Sequence, residues 1–412
     1  MSSCPHIDLF DPDNYIGGIR YDWLEELRRK EPVFWQSYPE AHDGGVWVIT
    51  KHEDIDYISK NPQLFSSSER TCFLREPPPE GLETSRRLLI NMDPPDHVRF
   101  RRIVRNAFTP RAVDAYEPRF RQIAKSIVDR VASKGECEFV EDVAAELPLI
   151  AICELMGIPI EDRKQFFDWT NIMIGADDPD LSTSPEAGFT ARMKLHQYGA
   201  KLAEFHRRDP QDNIVGSLLD GVVDGEKLTE EQFSSFFLLL VVAGNETTRT
   251  VTSHGMRLLM AYPEQHKKLI DEPALIPGFI EEVLRFHTAV TQFTRTATED
   301  IELKGKLIRK GQRVSMFYHS ANRDEDVFDH PEMFDVTRPQ RENVSRLHRA
   351  FGAGEHFCLG THLARLELRV IFEELIPRLR NPEPCGEIVW LRSTLINGIK
   401  RLPIKFTPEP SP

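Results

Sequence analysis

Residues 351–360, with the sequence FGAGEHFCLG, combine a cysteine and a histidine with two early glycines. The glycines permit a tight loop that lets a bound group approach the backbone closely. Cys358 falls at the start of an amphipathic segment, and a helix N-terminus stabilises a thiolate through its free N–H groups and its dipole. We therefore predict that residues 351–360, called the cysteine loop below, present a thiolate to a metal.

Three other interpretations of the cysteine loop explain less. A cysteine buried for packing alone would leave the glycines and His356 without a role. A dinucleotide-binding loop has a different glycine spacing and an acidic residue at the end of a following strand. A zinc site formed by His356, Cys358 and His362 lacks a fourth ligand and the usual spacing, and it stays an alternative.

A second candidate is the motif AGNETT at 243–248. It lies midway in a long apolar segment that opens with a capping-box spacing at 229–232, which predicts a buried central helix over about 229–260. A glycine inside a helix costs about 1 kcal/mol relative to alanine. Gly244 therefore indicates a group close against the helix, with a purely packing role as the alternative.

Composition excludes several classes of protein. The 412 residues include 52 Lys and Arg against 65 Asp and Glu, and a net charge of -13 argues against a nucleic-acid partner. The longest apolar run, 236–243, is far shorter than the roughly 20 residues of a membrane-spanning helix. The N-terminal sequence has no secretory signal, so we expect a cytoplasmic location. The six cysteines contain no C-x-x-C pair, which argues against a disulfide framework.

Most of the chain has helical periodicity, as in the residues after the cysteine loop, where apolar side chains fall on one face: Leu363, Leu366, Val370, Ile371 and Leu375. Strand-like segments are few and lie at 46–50, 301–303, 307–308 and 313–318. No repeat and no long linker divides the chain. We predict one domain, 1–412, that is mainly α with small β-sheets.

The cysteine loop matches in full the F-G-x-G-x-H-x-C-x-G haem-binding loop of the cytochrome P450 superfamily, and the chain resembles its soluble bacterial members over nearly its whole length. The resemblance implies the P450 fold, haem b as cofactor and Cys358 as the axial thiolate ligand of the iron. The implied activity is a monooxygenase that inserts one atom of O2 into an apolar small molecule.

Glu282 and Arg285 form an i,i+3 pair that by itself fits an ordinary helix salt bridge. The pair resembles the family's E-x-x-R motif, and Arg338 lies in a segment that resembles the meander supplying a second arginine. The resemblance implies that these three residues support the cysteine loop and take no part in catalysis.

The AGNETT motif resembles the family's A-G-x-D/E-T-T signature. Oxygen activation needs protons, which a hydroxyl and a carboxylate can deliver through water. The resemblance implies that Thr247 hydrogen bonds the dioxygen and that Glu246 belongs to the proton relay, although aspartate is commoner at the second position.

Haem carries two propionates that need basic partners. The Asp-Pro-Pro sequence at 93–95 predicts a helix start, with the aspartate as N-cap and a proline in the first turn, and places His97 and Arg101 on one helix face. The resemblance implies that these two residues bind the propionates together with His356 and Arg295.

The resemblance also places the substrate pocket near the loop 73–91 and at a set of aliphatic and aromatic positions: Phe73, Leu239, Val242, Ala243, Val290, Phe293, Leu395 and Ile396. Such a lining suggests a sterol, a terpenoid or a branched lipid. The motif with its following arginine, AGNETTR, loosely resembles the actinobacterial lipid and steroid hydroxylases.

Electrons must come from another protein, because no flavin or nicotinamide motif is present and the chain has no room for a fused reductase. Four arginines cluster in the otherwise acidic chain, and they predict either a solvated helix face or a docking patch for an acidic ferredoxin served by a separate reductase: Arg99, Arg102, Arg105 and Arg111. Alternatives to the monooxygenase are a non-catalytic haem sensor or carrier, which would not need Glu246 and Thr247, and the zinc hydrolase.

Overall fold

The computed structural model describes residues 6–182, 184–210, 213–223 and 225–410. Its helices, numbered in chain order, are α1 (Tyr21–Lys30), α2 (His52–Lys60), α3 (Pro79–Arg86), α4 (Asp96–Arg105), α5 (Pro110–Asp114), α6 (Glu117–Ala132), α7 (Glu146–Met156), α8 (Arg163–Ile174), α9 (Pro185–Arg208), α10 (Ile214–Asp220), α11 (Glu230–Ala261), α12 (Pro263–Asp271), α13 (Ile276–Phe286), α14 (Tyr318–Ala321), α15 (Val344–Leu347) and α16 (Thr361–Arg378). Short 3₁₀ turns lie at Pro12–Tyr15, Leu89–Asn91, Asn106–Phe108, Ile160–Asp162, Pro273–Leu275, Arg338–Gln340 and Gly354–His356, and a π-helical turn at Val140–Ala144.

The strands are short. They are β1 (Val33–Ser37), β2 (Gly45–Ile49), β3 (Phe65–Ser66), β4 (Glu136–Glu138), β5 (Val222–Val223), β6 (Glu226–Lys227), β7 (Gln292–Ala297), β8 (Ile301–Leu303), β9 (Lys306–Ile308), β10 (Arg313–Phe317), β11 (Arg380–Pro384), β12 (Val389–Trp390), β13 (Ile399–Arg401) and β14 (Pro403–Thr407). The largest sheet has the order β1-β2-β10-β7-β3, in which only β2 and β10 are parallel. A three-stranded sheet, β11-β14-β4, and three two-stranded ribbons complete the architecture. The prediction of a mainly α protein with small β-sheets is confirmed.

Helix α11 begins at the predicted capping box. The Thr229 hydroxyl accepts from the Gln232 N–H at 3.2 Å, and the Gln232 side chain accepts from the Thr229 N–H at 2.9 Å. The helix packs against α7, α8, α9 and α16, and side chains such as Phe237 and Met256 are fully buried. It therefore runs through the main hydrophobic core and can hold a residue beside a bound group with little freedom to move.

Helix α16 anchors the cysteine loop to the same core. All five apolar residues singled out in the sequence are buried on α16, which packs against α6. Full burial of one such side chain contributes about 1.5–3 kcal/mol. The loop thus ends at a helix whose position is set by extensive apolar packing.

Candidate active site

The cysteine loop is closed by hydrogen bonds at both ends. The Cys358 N–H donates to the Phe351 carbonyl at 2.9 Å, and the Thr361 hydroxyl donates to the Cys358 carbonyl at 2.8 Å. Cys358 itself is exposed, as is Ala243 in the middle of the otherwise buried α11. Exposure at such a central position marks an internal cleft, so Cys358 and α11 both have a face free to contact a bound group.

The thiol of Cys358 is not deprotonated by its position alone. Partial removal from bulk water raises its pKa, and the Gly360 N–H and the Thr361 hydroxyl only reduce this increase. The helix start thus favours the thiolate, but less than burial disfavours it. A coordinated metal ion deprotonates a thiol outright.

Gly354 allows the loop to pass against α2. Its φ is +67°, and a Cβ atom built on it would lie 2.0 Å from the Ser59 carbonyl oxygen. Gly352 also has a positive φ, +72°, but its Cβ would find only the His356 carbonyl oxygen, at 4.0 Å. Both positions need the left-handed backbone, and only Gly354 also needs the absence of a side chain.

We expect Gly354→Ala to lower the melting temperature and to weaken haem retention more than Gly352→Ala does. Both substitutions add the strain of a left-handed alanine, about 1–2 kcal/mol. Only the first adds the clash with Ser59. Thermal unfolding followed by haem absorbance measures both effects, and equal losses in the two variants would contradict the assigned role of the close contact.

The structure brings the predicted triad together in the core. Arg285 donates from Nε and Nη2 to the two carboxylate oxygens of Glu282 at 2.8 and 2.7 Å, and Arg338 Nε reaches the same carboxylate at 3.1 Å. All three side chains are fully buried. Arg285 also donates to the carbonyls of Asn322 and Pro331 at 3.0 and 2.9 Å, so the triad ties α13 to the chain that precedes the cysteine loop.

Sequence reasoning missed a second support of the loop, centred on Glu281. Arg365 of α16 binds the Glu281 carboxylate at 2.6 and 2.8 Å, and His348 approaches it at 3.0 Å. Arg365 also lies 4.8 Å from the ring centre of Phe351. Burial raises the pKa of Glu281, but Arg365 and His348 bring it down to about 2. The one sequence feature that could have indicated this support is that Glu281 directly precedes Glu282 of the predicted triad.

Four basic side chains converge where the resemblance places the propionates: His97, Arg101, Arg295 and His356. The rings of His97 and His356 are 4.2 Å apart, and burial together with the charges of Arg101 and Arg295 lowers their pKa values to about 4 and about 2. Both ring nitrogens of His97 are buried without a hydrogen-bond partner. Groups with this charge and these free donors fit an anionic ligand, as the carboxylates of haem are.

The predicted start of α4 is partly wrong. The helix begins at Asp96, and the Asp93 carboxylate does not cap it, because the carboxylate accepts from the Ser67 N–H at 2.7 Å and from the Ser68 hydroxyl at 2.8 Å. Only the Asp93 carbonyl takes part, accepting from the His97 N–H at 2.9 Å. Asp93 therefore positions the neighbouring loop, whose Ser67 hydroxyl lies 3.2 Å from Nε2 of His356.

The glycine of the AGNETT motif serves packing. A Cβ atom on Gly244 would lie 3.1 Å from the Cδ1 atom of Ile152 in α7, so the expectation that a bound group explains this glycine is wrong. Thr247 is partly exposed, and its hydroxyl donates to the Ala243 carbonyl at 2.8 Å. The cleft is thus reached by Ala243 and Thr247, and Gly244 faces the core.

Glu246 is buried and forms an ion pair with Arg249 one turn further along α11. Arg249 Nη1 in turn donates to the Asn171 side chain of α8 at 2.7 Å. A parallel contact joins Asn245 to the Thr170 hydroxyl at 3.0 Å. The sequence did not reveal Arg249 and Asn171 as partners, because the second lies in a different helix 78 residues away.

The predicted pocket residues lie inside the fold, and most of them are only partly buried. All of them except the buried Ile396 keep some exposure, and two contacts connect their segments: the Phe73 and Phe293 rings lie 6.1 Å apart, and Val290 pairs with Ile396. The Thr291 N–H donates to the Leu395 carbonyl at 2.7 Å. These segments form an apolar wall that could hold an apolar ligand.

Ion pairs and hydrogen bonds hold the loop between α8 and α9, residues 175–182, in place. The buried Asp178 binds Lys400 at 2.8 Å and the Arg392 N–H at 3.0 Å, and Lys400 also binds Asp180 at 2.6 Å. Asp177 binds Arg75 at 2.9 Å, and its carbonyl accepts from Arg392. Burial raises the pKa of Asp178, but these partners hold it below its ordinary value.

The predicted arginine patch is largely exposed. Arg102, Arg105 and Arg111 are exposed, whereas Arg99 binds Glu226 at 2.6 Å. Arg101 on the same helix donates to the Phe357 carbonyl at 2.5 Å, next to Cys358. Three arginines of the patch therefore lie on α4, the helix that contacts the cysteine loop, and Arg111 lies on α5.

Neither a zinc cluster nor a membrane span is found in the described ranges. No three His, Cys, Asp or Glu side chains there could together hold a metal ion, and His362 is exposed. The zinc-hydrolase alternative therefore has no support from the geometry. None of the helices described is both long enough and apolar enough to cross a membrane.

Comparison with known proteins agrees with this geometry. The chain matches the model of the cytochrome P450 family over residues 67–383. It is 41% identical to the steroid C26-monooxygenase of Rhodococcus jostii (strain RHA1), covering 97% of this chain and 84% of that protein. It is 39% identical to the methyl-branched lipid omega-hydroxylase of Mycobacterium tuberculosis (strain ATCC 25618 / H37Rv), covering 94% and 91%.

Among solved structures, the Mycobacterium marinum cytochrome P450 CYP268A2 in complex with pseudoionone superimposes with a TM-score of 0.87 at 37% identity, covering 94% of each chain. Bacillus megaterium CYP109E1 in complex with testosterone superimposes with a TM-score of 0.83 at 33% identity, covering 94% of this chain and 97% of that one. The chain therefore belongs to the cytochrome P450 family and is a monooxygenase whose cofactor is haem b.

Proposed function

We propose that this monooxygenase hydroxylates the branched alkyl end of a sterol or of a methyl-branched lipid. The observation that carries the proposal is the apolar wall around Phe73, Phe293 and Ile396, because a lining of aromatic and aliphatic side chains selects apolar ligands. The names of the two relatives given above support it, since both describe oxidation of a lipid or steroid at or near the end of an alkyl chain.

In the proposed site, Cys358 is the thiolate ligand of the iron, and His97, Arg101, Arg295 and His356 bind the propionates. The bound haem supplies the iron chemistry that activates dioxygen for transfer of one oxygen atom to the substrate. Arg101 and Arg295 would supply the positive charge that balances the two carboxylates, and the two histidines would add hydrogen bonds. Glu282, Arg285 and Arg338 act indirectly, by holding the loop in place.

We propose that Thr247 and Glu246 deliver protons to the dioxygen that binds in the cleft. The Thr247 hydroxyl is held at the cleft by its bond to the Ala243 carbonyl and can turn to a dioxygen molecule. Glu246 is paired with Arg249, so its carboxylate must leave that ion pair, or exchange protons through water, to take part. Leu239, Val242, Ala243, Val290 and Leu395 are proposed to contact substrate.

The substrate proposal is tested by titrating the haem-loaded enzyme with cholest-4-en-3-one and with phytanic acid and recording the haem spectrum. We expect a saturable spectral shift with at least one of them, and a product hydroxylated at the terminal branch in mass spectrometry after turnover with a surrogate ferredoxin and reductase. Hydroxylation only within the ring system, or no shift with either compound, would contradict the proposal.

We further propose that the electron donor is a ferredoxin with a separate reductase and that it docks on the arginine patch. Exposed cations beside the cysteine loop provide a short path to the cofactor and attract an acidic partner. We also propose that residues 1–412 form a single domain, since helices α4 to α13 and α16 and strands β13 and β14 contribute side chains to one hydrophobic core.

Docking through exposed charges predicts that reduction of the enzyme slows as salt rises, because such charges are screened over about 10 Å at 0.1 M salt. Changing Arg102 and Arg105 to Glu should raise the apparent KM for ferredoxin about tenfold and leave the substrate-induced spectral shift intact. Stopped-flow reduction at several salt concentrations measures the effect.

Two exposed arginines away from the loop, Arg309 and Arg401, provide a matched control when both are changed to Glu. If this control slows reduction as much as the Arg102 and Arg105 variant, net charge and not the patch governs docking. If the reduction rate changes neither with salt nor in either variant, the patch is an ordinary solvated helix face and the docking proposal is wrong.

A further inference from the structure

A second group of basic side chains has no role in the site described above. It lies where α1, α11, α13 and α14 meet and consists of six residues, called the histidine–arginine cluster below: Tyr21, His254, Arg257, His287, His319 and Arg323. The three histidines are buried, whereas the tyrosine and the two arginines are half-buried. The cluster is therefore mostly shielded, and only the tyrosine and the two arginines keep part of their surface exposed.

The two arginines have no carboxylate partner within the part of the chain that the structure describes. Arg323 lies between the rings of Tyr21 and Phe286, 3.6 and 4.0 Å from their centres, and Arg257 lies 5.5 Å from the Trp390 ring. Buried or half-buried charges are normally paired, so two unpaired guanidinium groups in one cluster are an exception that needs an explanation.

Neighbouring charges do not supply the missing partner. The charged groups that act on Arg323 are Arg28 and Arg285, and each is bound to its own glutamate, Glu325 or Glu282. Arg257 faces only the phenols of Tyr21 and Tyr262 as groups that could become negative. Burial raises the pKa of Tyr21, so the phenol stays neutral at physiological pH.

Hydrogen bonds define the protonation of two of the histidines. Tyr21 Oη donates its one proton to the Phe286 carbonyl at 2.9 Å, so it must accept from Nδ1 of His287 at 3.2 Å and from Nδ1 of His319 at 3.1 Å. His287 Nε2 accepts from Arg257. His319 therefore carries its proton on Nδ1, and its Nε2 is a bare acceptor.

His254 is in the same situation. Its Nε2 donates to the Asn397 carbonyl at 2.7 Å, which leaves Nδ1 bare. Neither bare nitrogen has a hydrogen-bond partner, and the Nε–H groups of both arginines also lack one. Burial and the arginine charges lower the pKa of all three histidines, that of His254 to about 3. The cluster thus has unused donors, unused acceptors and excess positive charge.

We propose that the histidine–arginine cluster binds one small oxyanion and takes up a proton as it does so. The anion supplies the missing negative charge and accepts hydrogen bonds from the arginines, whose planar guanidinium groups suit oxyanions. His319 then gains a proton at Nε2 and becomes a further donor. By linkage, the anion should bind more tightly as the pH falls.

Sulfate is a suitable probe because its charge does not change between pH 6 and pH 8. The haem-loaded protein is titrated with sulfate in a calorimeter, in two buffers of different ionisation enthalpy that contain no oxyanion, with ionic strength held by sodium chloride. We expect saturable binding, net proton uptake at pH 7, affinity that rises by up to about tenfold per pH unit on acidification, and weaker binding of chloride.

Arg257→Met and Arg323→Met should each weaken sulfate binding about tenfold or more, while Arg309→Met, at an exposed arginine elsewhere, should not. If the cluster variants fail to fold, proton uptake and its pH dependence in the unaltered protein decide. Absence of saturable binding, binding without proton uptake, or chloride binding as tight as that of sulfate would overturn the proposal.

Discussion

Replacing Cys358 by serine or alanine will abolish the thiolate-type spectrum of the reduced enzyme with carbon monoxide. The cysteine loop leaves the Cys358 side chain exposed to a bound group, and neither a hydroxyl nor a methyl group can act as a thiolate. The loss should be complete, because a change of ligand changes the electronic character of the iron and does not merely weaken binding.

The control for this experiment is Cys385→Ser. Among the cysteines that the structure describes, Cys385 is the other exposed one, and it lies beyond β11, away from the loop. The buried Cys72 and Cys153 are less suitable controls, since their replacement disturbs packing, and burial raises the pKa of each thiol to about 12. A normal carbonyl spectrum in Cys358→Ala would show that the iron ligand has been misassigned.

Thr247→Ala should keep substrate binding and oxygen consumption but release peroxide in place of product. The pocket wall remains, while the hydroxyl that can pass a proton to oxygen is lost. Acid–base assistance in enzymes typically contributes about 10²–10⁴-fold, so product formed per reduced cofactor consumed should fall about tenfold or more. That ratio, measured with peroxide release, is the decisive quantity.

Thr252→Ala is the matched control. Thr252 lies on the same helix, and its hydroxyl makes the same kind of bond, to the Thr248 carbonyl at 2.8 Å, but it is buried away from the cleft. The control removes an equivalent helix contact without touching the proposed relay. Equal loss of product yield in both variants would indicate a disturbed helix, and an unchanged yield in Thr247→Ala would place proton delivery elsewhere.

Local patterns in the sequence were sufficient to predict α11 and α16, the helices beside the site. The Thr229 to Gln232 spacing predicted the start of α11, since a capping box involves only neighbouring residues. The apolar period after Cys358 likewise predicted α16. The predicted strands 301–303 and 313–318 correspond to β8 and to β10, which ends one residue earlier.

Expectations failed where a distant residue decided the outcome. The Asp93 carboxylate was expected to cap α4, but the serines at 66–68 bind it instead. Gly244 was expected to face a bound group, but Ile152 occupies the space. Neither competitor can be inferred from its own sequence neighbourhood, because the contact exists only once the helices have packed. The attachment of Arg249 to Asn171 of α8 is another contact of this kind.

The loop 175–182 is held by residues from both the N-terminal and the C-terminal part of the chain. Arg392 binds Asp13 at 2.5 Å and also holds the Asp177 carbonyl, while Lys400 holds Asp178. Trimming the first fifteen or so residues, or rebuilding the last two strands, would therefore loosen a loop more than 150 residues away in sequence. For protein engineering, deletions that reach Asp13 or Lys400 are therefore as disruptive to this loop as changes in the loop itself.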